Sequence, residues 1–159
     1  MTAGVVAAVD LGATSGRVMV GHVGPDILRL EQSARFRNDP VALPDGLRWS
    51  ILALYGAAVG GLRAAVRAEP DLVSIGVDSW AVDYALLREG ALLGSPFHYR
   101  DGRTGRGVEA VHGRVSHAEL YARNGLQFLP FNTVYQLAAE SPASLAFADR
   151  LLLIPDLFA

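Results

Sequence analysis

Hydrophobic positions along the chain fall into segments whose spacing alternates between strand-like and helix-like periods. Val5-Val6-Ala7-Ala8-Val9 runs unbroken into Asp10, the pattern of a short strand buried on both faces. Gly12-Ala13-Thr14-Ser15-Gly16 suits a tight turn, and Arg17 to Gly21 reads as the returning strand. After Gly24-Pro25-Asp26, the alternation of Ile27, Leu28, Leu30 and Phe36 predicts a third strand, and Asn38 to Gly46 a loop. From Ser50 the spacing becomes helical, with Ile51, Leu54-Tyr55, Ala58-Val59, Leu62 and Val66 on one face. Ser50 is placed to cap this helix, Arg63 and Arg67 suit its C-terminal dipole, and Pro70 ends it. Leu72 to Val77 is a second β-type run ending in an aspartate, Asp78. Strand, helix and strand in this order predict an α/β fold with a mixed sheet and flanking helices.

The second half is more broken. Leu86-Leu87 and Leu92-Leu93 flank an Arg-Glu-Gly turn and predict a hairpin, and His98 to Thr104 a charged, aromatic loop. Glu109 to Val115, Ala118 to Arg123 and Thr133 to Glu140 predict helices, with a loop from Gly125 to Asn132. No internal repeat is visible. The final Leu151 to Ala159 is apolar with no polar tail, which suggests a cut through a larger protein.

Composition narrows the chemistry. At 159 residues the chain is one domain's worth, and 51% hydrophobic content supports a substantial core. A net charge of −2 argues against nucleic-acid binding through a basic face. The chain lacks cysteine, which excludes disulfides, thiolate metal sites and cysteine nucleophiles. All 14 basic residues are arginines, so Schiff-base chemistry is excluded too. No basic-then-apolar leader precedes Val5, and the uncharged run Ile51–Leu62 is too short to cross a bilayer. A cytoplasmic protein is the expectation, with no membrane partner.

Asp10 and the turn after it are the main candidate site. A P-loop would need a lysine, and a dinucleotide fingerprint a third glycine beyond Gly12 and Gly16. Asp10 alone would repel phosphate, since two unit charges ~4 Å apart cost roughly 4 kcal/mol at an effective dielectric near 20. A Mg²⁺ ion between them reverses the sign, because Mg²⁺ favours one or two carboxylates plus phosphate oxygens and water. The turn therefore suits a metal-nucleotide site, with an ordinary polar hairpin as the alternative. Asp78 would lie at the same sheet edge if the two strands run parallel, where ligands of such sheets gather. Ser79 to Tyr84 and His98 to Thr104 supply the aromatic faces and charges of a sugar pocket, or else a solvated loop with local Arg–Asp pairs. His22, His98, His112 and His117 show no metal-ligand spacing, and the arginines from Arg100 to Arg114 suit a solvated face.

Five collinear stretches carry a resemblance covering nearly the whole chain: Val9–Arg17, Ser74–Asp83, Tyr99–Thr104, Gly125–Thr133 and Ile154–Asp156. They resemble the N-terminal part of the FGGY carbohydrate kinases, and of the rhamnulokinase branch in particular. The resemblance implies the ribonuclease H-like, actin-like ATPase fold, with residues 1–159 as the N-terminal part of its first domain and the second domain absent. It implies transfer of the ATP γ-phosphoryl group to the 1-hydroxyl of L-rhamnulose with Mg²⁺. Ala13, Thr14, Ser15, Gly16 and Arg17 would then contact nucleotide phosphates, and Asp10 would hold the metal, through water. Trp80, Ala81, Asp83, Tyr99, Arg100, Asp101, Phe131 and Asn132 would serve the sugar. Family members often carry glycine where Ala81 stands, which weakens the inference to one sugar and leaves another ketose or polyol open. The family's catalytic base lies beyond this stretch, so the chain alone is expected to be inactive; its apolar cut end would leave hydrophobic surface and sheet edges open, so it is also expected to self-associate. Two readings of other classes are a ribonuclease H-like metal-dependent nuclease and a non-enzymatic sugar-binding module.

Overall fold

The computed structural model describes residues 4–159. In chain order, β1 (Gly4–Leu11), β2 (Ser15–Gly24) and β3 (Ile27–Arg37) lead to β4 (Val41–Leu43) and β5 (Gly46–Arg48). Helix α1 (Ile51–Ala68) and β6 (Leu72–Ser79) follow, then β7 (Tyr84–Arg88) and β8 (Ala91–Leu92). Helices α2 (Thr104–His112), α3 (His117–Asn124), α4 (Thr133–Ala138) and α5 (Pro142–Phe147) precede β9 (Arg150–Leu153) and α6 (Ile154–Phe158). These elements form two compact units. One comprises the residues up to Asp39, Ser50–Trp80 and Ile154–Ala159; the other comprises Pro40–Trp49 and Ala81–Leu153.

The first unit is a mixed four-stranded sheet in the order β3-β2-β1-β6. β1 pairs antiparallel with β2 and parallel with β6. Val9, Leu11, Val18 and Val20 project from the sheet onto Ala58 and Ala65 of α1 to make the core. The seam is narrow because the helix offers small residues. A Cβ at Gly61 would stand 2.6 Å from Val18 Cγ2 and 2.9 Å from the Ala34 Cβ. This rotates the helix from the face that periodicity predicts: Gly61 and Ala65 are buried, while Tyr55 and Val66 are exposed. Ser50 occupies the N-cap position, but its side chain makes no capping bond; only its carbonyl takes the Leu54 N–H. β1 is not buried on both faces either. Helix α1 covers one side, and Ala8 on the other is exposed. At 18 residues and a mean hydropathy of 1.3, α1 reaches the length and composition of a membrane span, longer than its uncharged run suggests. Ile51, Leu54, Ala58, Gly61 and Ala65 are nonetheless buried.

In the second unit β7 lies between β8 and β9 in an antiparallel sheet. The proline-rich stretch expected as a loop is partly a small hairpin, β4 against β5. Helix α2 begins at Thr104, earlier than its apolar residues indicate, and packs on α4. Gly107 makes that approach possible, since a Cβ there would fall 1.8 Å from the Tyr135 carbonyl oxygen. Helix α3 is capped by Ser116 Oγ, which accepts the Glu119 N–H, and ends at Gly125 with φ 67°.

Candidate functional site

Within the first unit, the β1–β2 hairpin presents Asp10 on the sheet face opposite α1. Cross-strand partners share a face, and the register pairs Asp10 with Arg17 of β2 and with Asp78 of β6. Arg17 Nε donates to Asp10 Oδ2 at 2.8 Å with both side chains about half exposed, a pair contributing at most about 1 kcal/mol. The turn Gly12-Ala13-Thr14 is closed by the Gly12 N–H donating to the Ser15 carbonyl at 3.0 Å. Gly12 admits that closure, because a Cβ would stand 2.9 Å from the same oxygen. Gly16 is buried under the Phe36 ring, which a Cβ would meet at 2.3 Å, so the turn is open at Ala13, Thr14 and Ser15 instead. Thr14 and Ser15 line an open depression of about 610 Å³ together with Arg35, Phe36, Arg37 and Asp39.

Sequence reasoning missed Asn38, which holds this turn. Its backbone N–H donates to the Thr14 carbonyl at 3.1 Å, and its amide Nδ2 donates to the Gly12 carbonyl at 2.8 Å. Asn38 is 2% exposed, which leaves the turn little freedom. Beside it, Asp39 holds the exposed Arg37 through two short hydrogen bonds, which raise the guanidinium's pKa and lower that of the carboxyl.

The donor set fits a magnesium ion. Asp10 and Asp78 stand side by side at the carboxyl ends of parallel strands, and one Asp10 oxygen is already engaged by Arg17. No cluster of three or more metal-ligating side chains exists among the described residues, and Mg²⁺ needs only one or two carboxylates beside phosphate oxygens and water. Trp80 follows β6 in this unit, packs against its core and extends the pairing with β1 through its N–H to the Leu11 carbonyl.

In the second unit the predicted sugar residues gather around Asp83. Its carboxylate is 1% exposed and accepts from Trp49 Nε1 at 2.5 Å, the Tyr99 N–H at 3.2 Å and Gln136 Nε2 at 2.7 Å. Asp83 therefore ties Trp49, Tyr99 and Gln136 together. Asp101 is likewise engaged: Oδ2 accepts the Leu47 N–H and Oδ1 the Arg103 N–H. An aromatic ladder runs from Trp49 through His98 and Tyr99 to Phe131, with ring centroids 4.0, 4.5 and 5.5 Å apart. The exposed Arg100 lies over the Tyr99 ring at 5.3 Å. His98 accepts the Arg100 N–H at Nδ1, and burial, then the Arg100 charge, lowers its pKa despite Asp101. Asn132 begins α4 and donates from Nδ2 to the Gln127 carbonyl.

Gln136 is the second residue that the sequence did not reveal. Its amide nitrogen lies within hydrogen-bond distance of the Val82 carbonyl, Asp83 Oδ1 and the Phe131 carbonyl, tying two of the predicted sugar segments together. Val82 itself has φ 71°, a conformation that β-branched residues avoid, between the exposed Ala81 and the buried Asp83. Thr133 Oγ1 holds its carbonyl at 2.8 Å. Among the arginines expected on a solvated face, Arg103 has a side chain only 7% exposed, which pairs with Glu140 at 3.0 Å. The Tyr84 hydroxyl donates to the same carboxylate at 2.9 Å, and burial pushes that phenol up to about 12. A groove of about 450 Å³ opens beside Val82 and Asn132, mostly apolar, along α3 and α4.

No family model matches the chain. Curated rhamnulokinases from Bacteroides thetaiotaomicron, Pectobacterium atrosepticum and Klebsiella pneumoniae are 39%, 43% and 41% identical to it over 94–96% of its length. The chain spans about a third of the length of each, 32%. Among solved structures, xylulose kinase from Rhodospirillum rubrum matches with a TM-score of 0.77 at 20% identity, covering 97% of this chain and 33% of that one. A carbohydrate kinase from Novosphingobium aromaticivorans gives 0.76 at 19% identity, covering 94% and 32%. In sequence the chain is thus similar to a third of a rhamnulokinase, and in fold to the same share of sugar kinases of the actin-like ATPase type.

Proposed function

We propose that this chain is the N-terminal part of an ATP-dependent sugar kinase whose acceptor is the 1-hydroxyl of L-rhamnulose. The observation that carries the proposal is the pairing of Asp10 with Asp78 on the open sheet face beside the Thr14–Ser15 turn. Similarity to curated rhamnulokinases over nearly the whole chain supports that sugar over the other ketoses and polyols of the family. Residues 1–159 belong to the first actin-like domain, and the second domain and the catalytic base lie outside them.

Asp10 and Asp78 would hold Mg²⁺, which neutralises phosphate charge when bound. The backbone N–H groups and hydroxyls of Ala13 to Ser15 bind the phosphate tail, and Asn38 keeps that turn in one conformation. Arg17 balances the Asp10 carboxylate. Tyr99, Phe131 and Ala81 offer the apolar faces for a sugar ring, Arg100 and Asn132 its polar contacts, and Asp83 and Gln136 fix their positions. The chain works in the cytoplasm on small molecules, with neither nucleic acid nor membrane as partner.

Titration of the ¹⁵N-labelled 159-residue chain with Mg-ATP and then with L-rhamnulose tests the proposal. Mg-ATP is expected to shift the amide resonances of Gly12 to Arg17, and the sugar those of Ala81, Tyr99 and Phe131, with no ADP released. Shifts absent from the turn at millimolar Mg-ATP would remove the kinase assignment. Mg²⁺-dependent cleavage of RNA would replace it with the nuclease.

A further inference from the structure

The open face of the first unit carries one continuous row of charge. The register runs from Asp78 on β6 to Asp10 on β1, Arg17 on β2 and Arg35 on β3, so these four side chains share a face. At ~4.8 Å per strand the row spans roughly 14 Å, acidic at one end and basic at the other. Ser15 and Arg37 form the neighbouring pair on the same face, next to the turn. Arg17 is taken by Asp10 and Arg37 by Asp39. Arg35 is exposed, makes no ion pair or side-chain hydrogen bond among the described residues, and lines the depression with Thr14 and Ser15. A cation left unpaired between two neutralised pairs, against a hydroxylated turn, is the group that an incoming anion meets without first breaking a salt bridge.

We propose that Arg35 is a phosphate-contacting residue of this site, and that the row orients a polyphosphate with its cation toward Asp10 and Asp78 and its far phosphate toward Arg35. The inference rests on the nucleotide site proposed above and adds a contact from β3. A planar guanidinium suits two phosphate oxygens at once, as an ammonium does not.

The test is calorimetric titration of the 159-residue chain with magnesium tripolyphosphate, which carries the charge of the nucleotide tail and no base. Arg35→Gln is expected to weaken binding about tenfold, with Arg35→Lys between it and the parent chain. The difference should largely vanish at 1 M salt, where the screening length is about 3 Å. Arg29→Gln, at the far end of the same strand and paired with Glu31, serves as the control and should leave binding unchanged. Binding by the parent chain that survives Arg35→Gln, or falls equally with Arg29→Gln, overturns the role of Arg35 and leaves the nucleotide site standing. No binding by the parent chain overturns both.

Discussion

At the scale of single residues, the candidate sites are built from side chains that support others as much as from side chains a ligand could touch. His98 shows this with a measurable consequence. It is buried between Trp49 and Tyr99, and its depressed pKa means that the unfolded chain takes up the proton more readily than the folded one. Its contribution to stability is complete above the ordinary histidine range near pH 6.5. It declines as pH falls through that range toward the lower folded value. Urea unfolding at pH 7 and pH 5 should therefore give a steeper loss for the parent chain than for His98→Gln. Equal losses would show that the ring titrates as freely folded as unfolded. Asp83 makes the complementary point: its place beside Trp80 and Tyr84 in the sequence suggests a sugar ligand, yet its oxygens are met by Trp49, Tyr99 and Gln136.

At the scale of elements, α1 and the sheet meet through a seam of small residues, and the size of one glycine decides their distance. Gly61→Ala should gain up to about 1 kcal/mol in helix propensity. Against this stands the crowding of Val18 and Ala34 at under 3.0 Å, and overpacking of this kind typically costs about 1–3 kcal/mol. The cost wins, so the variant should unfold at lower urea than the parent, whereas Gly60→Ala, which meets nothing within 4 Å, should unfold at higher urea. The strands ending in Asp10 and Asp78 were legible because an apolar run stopping at a carboxylate is a local signal. The β4–β5 hairpin was not, since three-residue strands among Pro40, Pro44 and Gly46 carry no period. The start of α2 was hidden because Gly105 and Gly107 lack apolar side chains, and the face of α1 was misjudged because Gly61 and Ala65 contribute closeness instead of bulk. Asn38 and Gln136 act on partners 26 and 53 residues away, a relation that only the folded register creates.

At the scale of the whole molecule, β6 is the outer strand of its sheet, and Leu72 to Val77 contains neither charge nor proline to discourage further pairing. Val73 and Ile75 are exposed there, and Ile75 lines one depression with the exposed Tyr55 of α1. The 159-residue chain should therefore self-associate, with a light-scattering mass that rises with concentration, and Ile75→Lys should suppress the rise. A monomer at every concentration would show that this edge is protected by other means.

If the second unit takes the sugar proposed above, the left-handed backbone of Val82 bears on which sugars it distinguishes. A valine in that conformation stays only while Thr133 and Gln136 grip its carbonyl, so the bend behaves like a cocked latch whose catch belongs to α4. Exchanging the valine for glycine would slacken the latch without removing either grip. The segment carrying Ala81 would then accept more shapes of guest and hold each one less firmly.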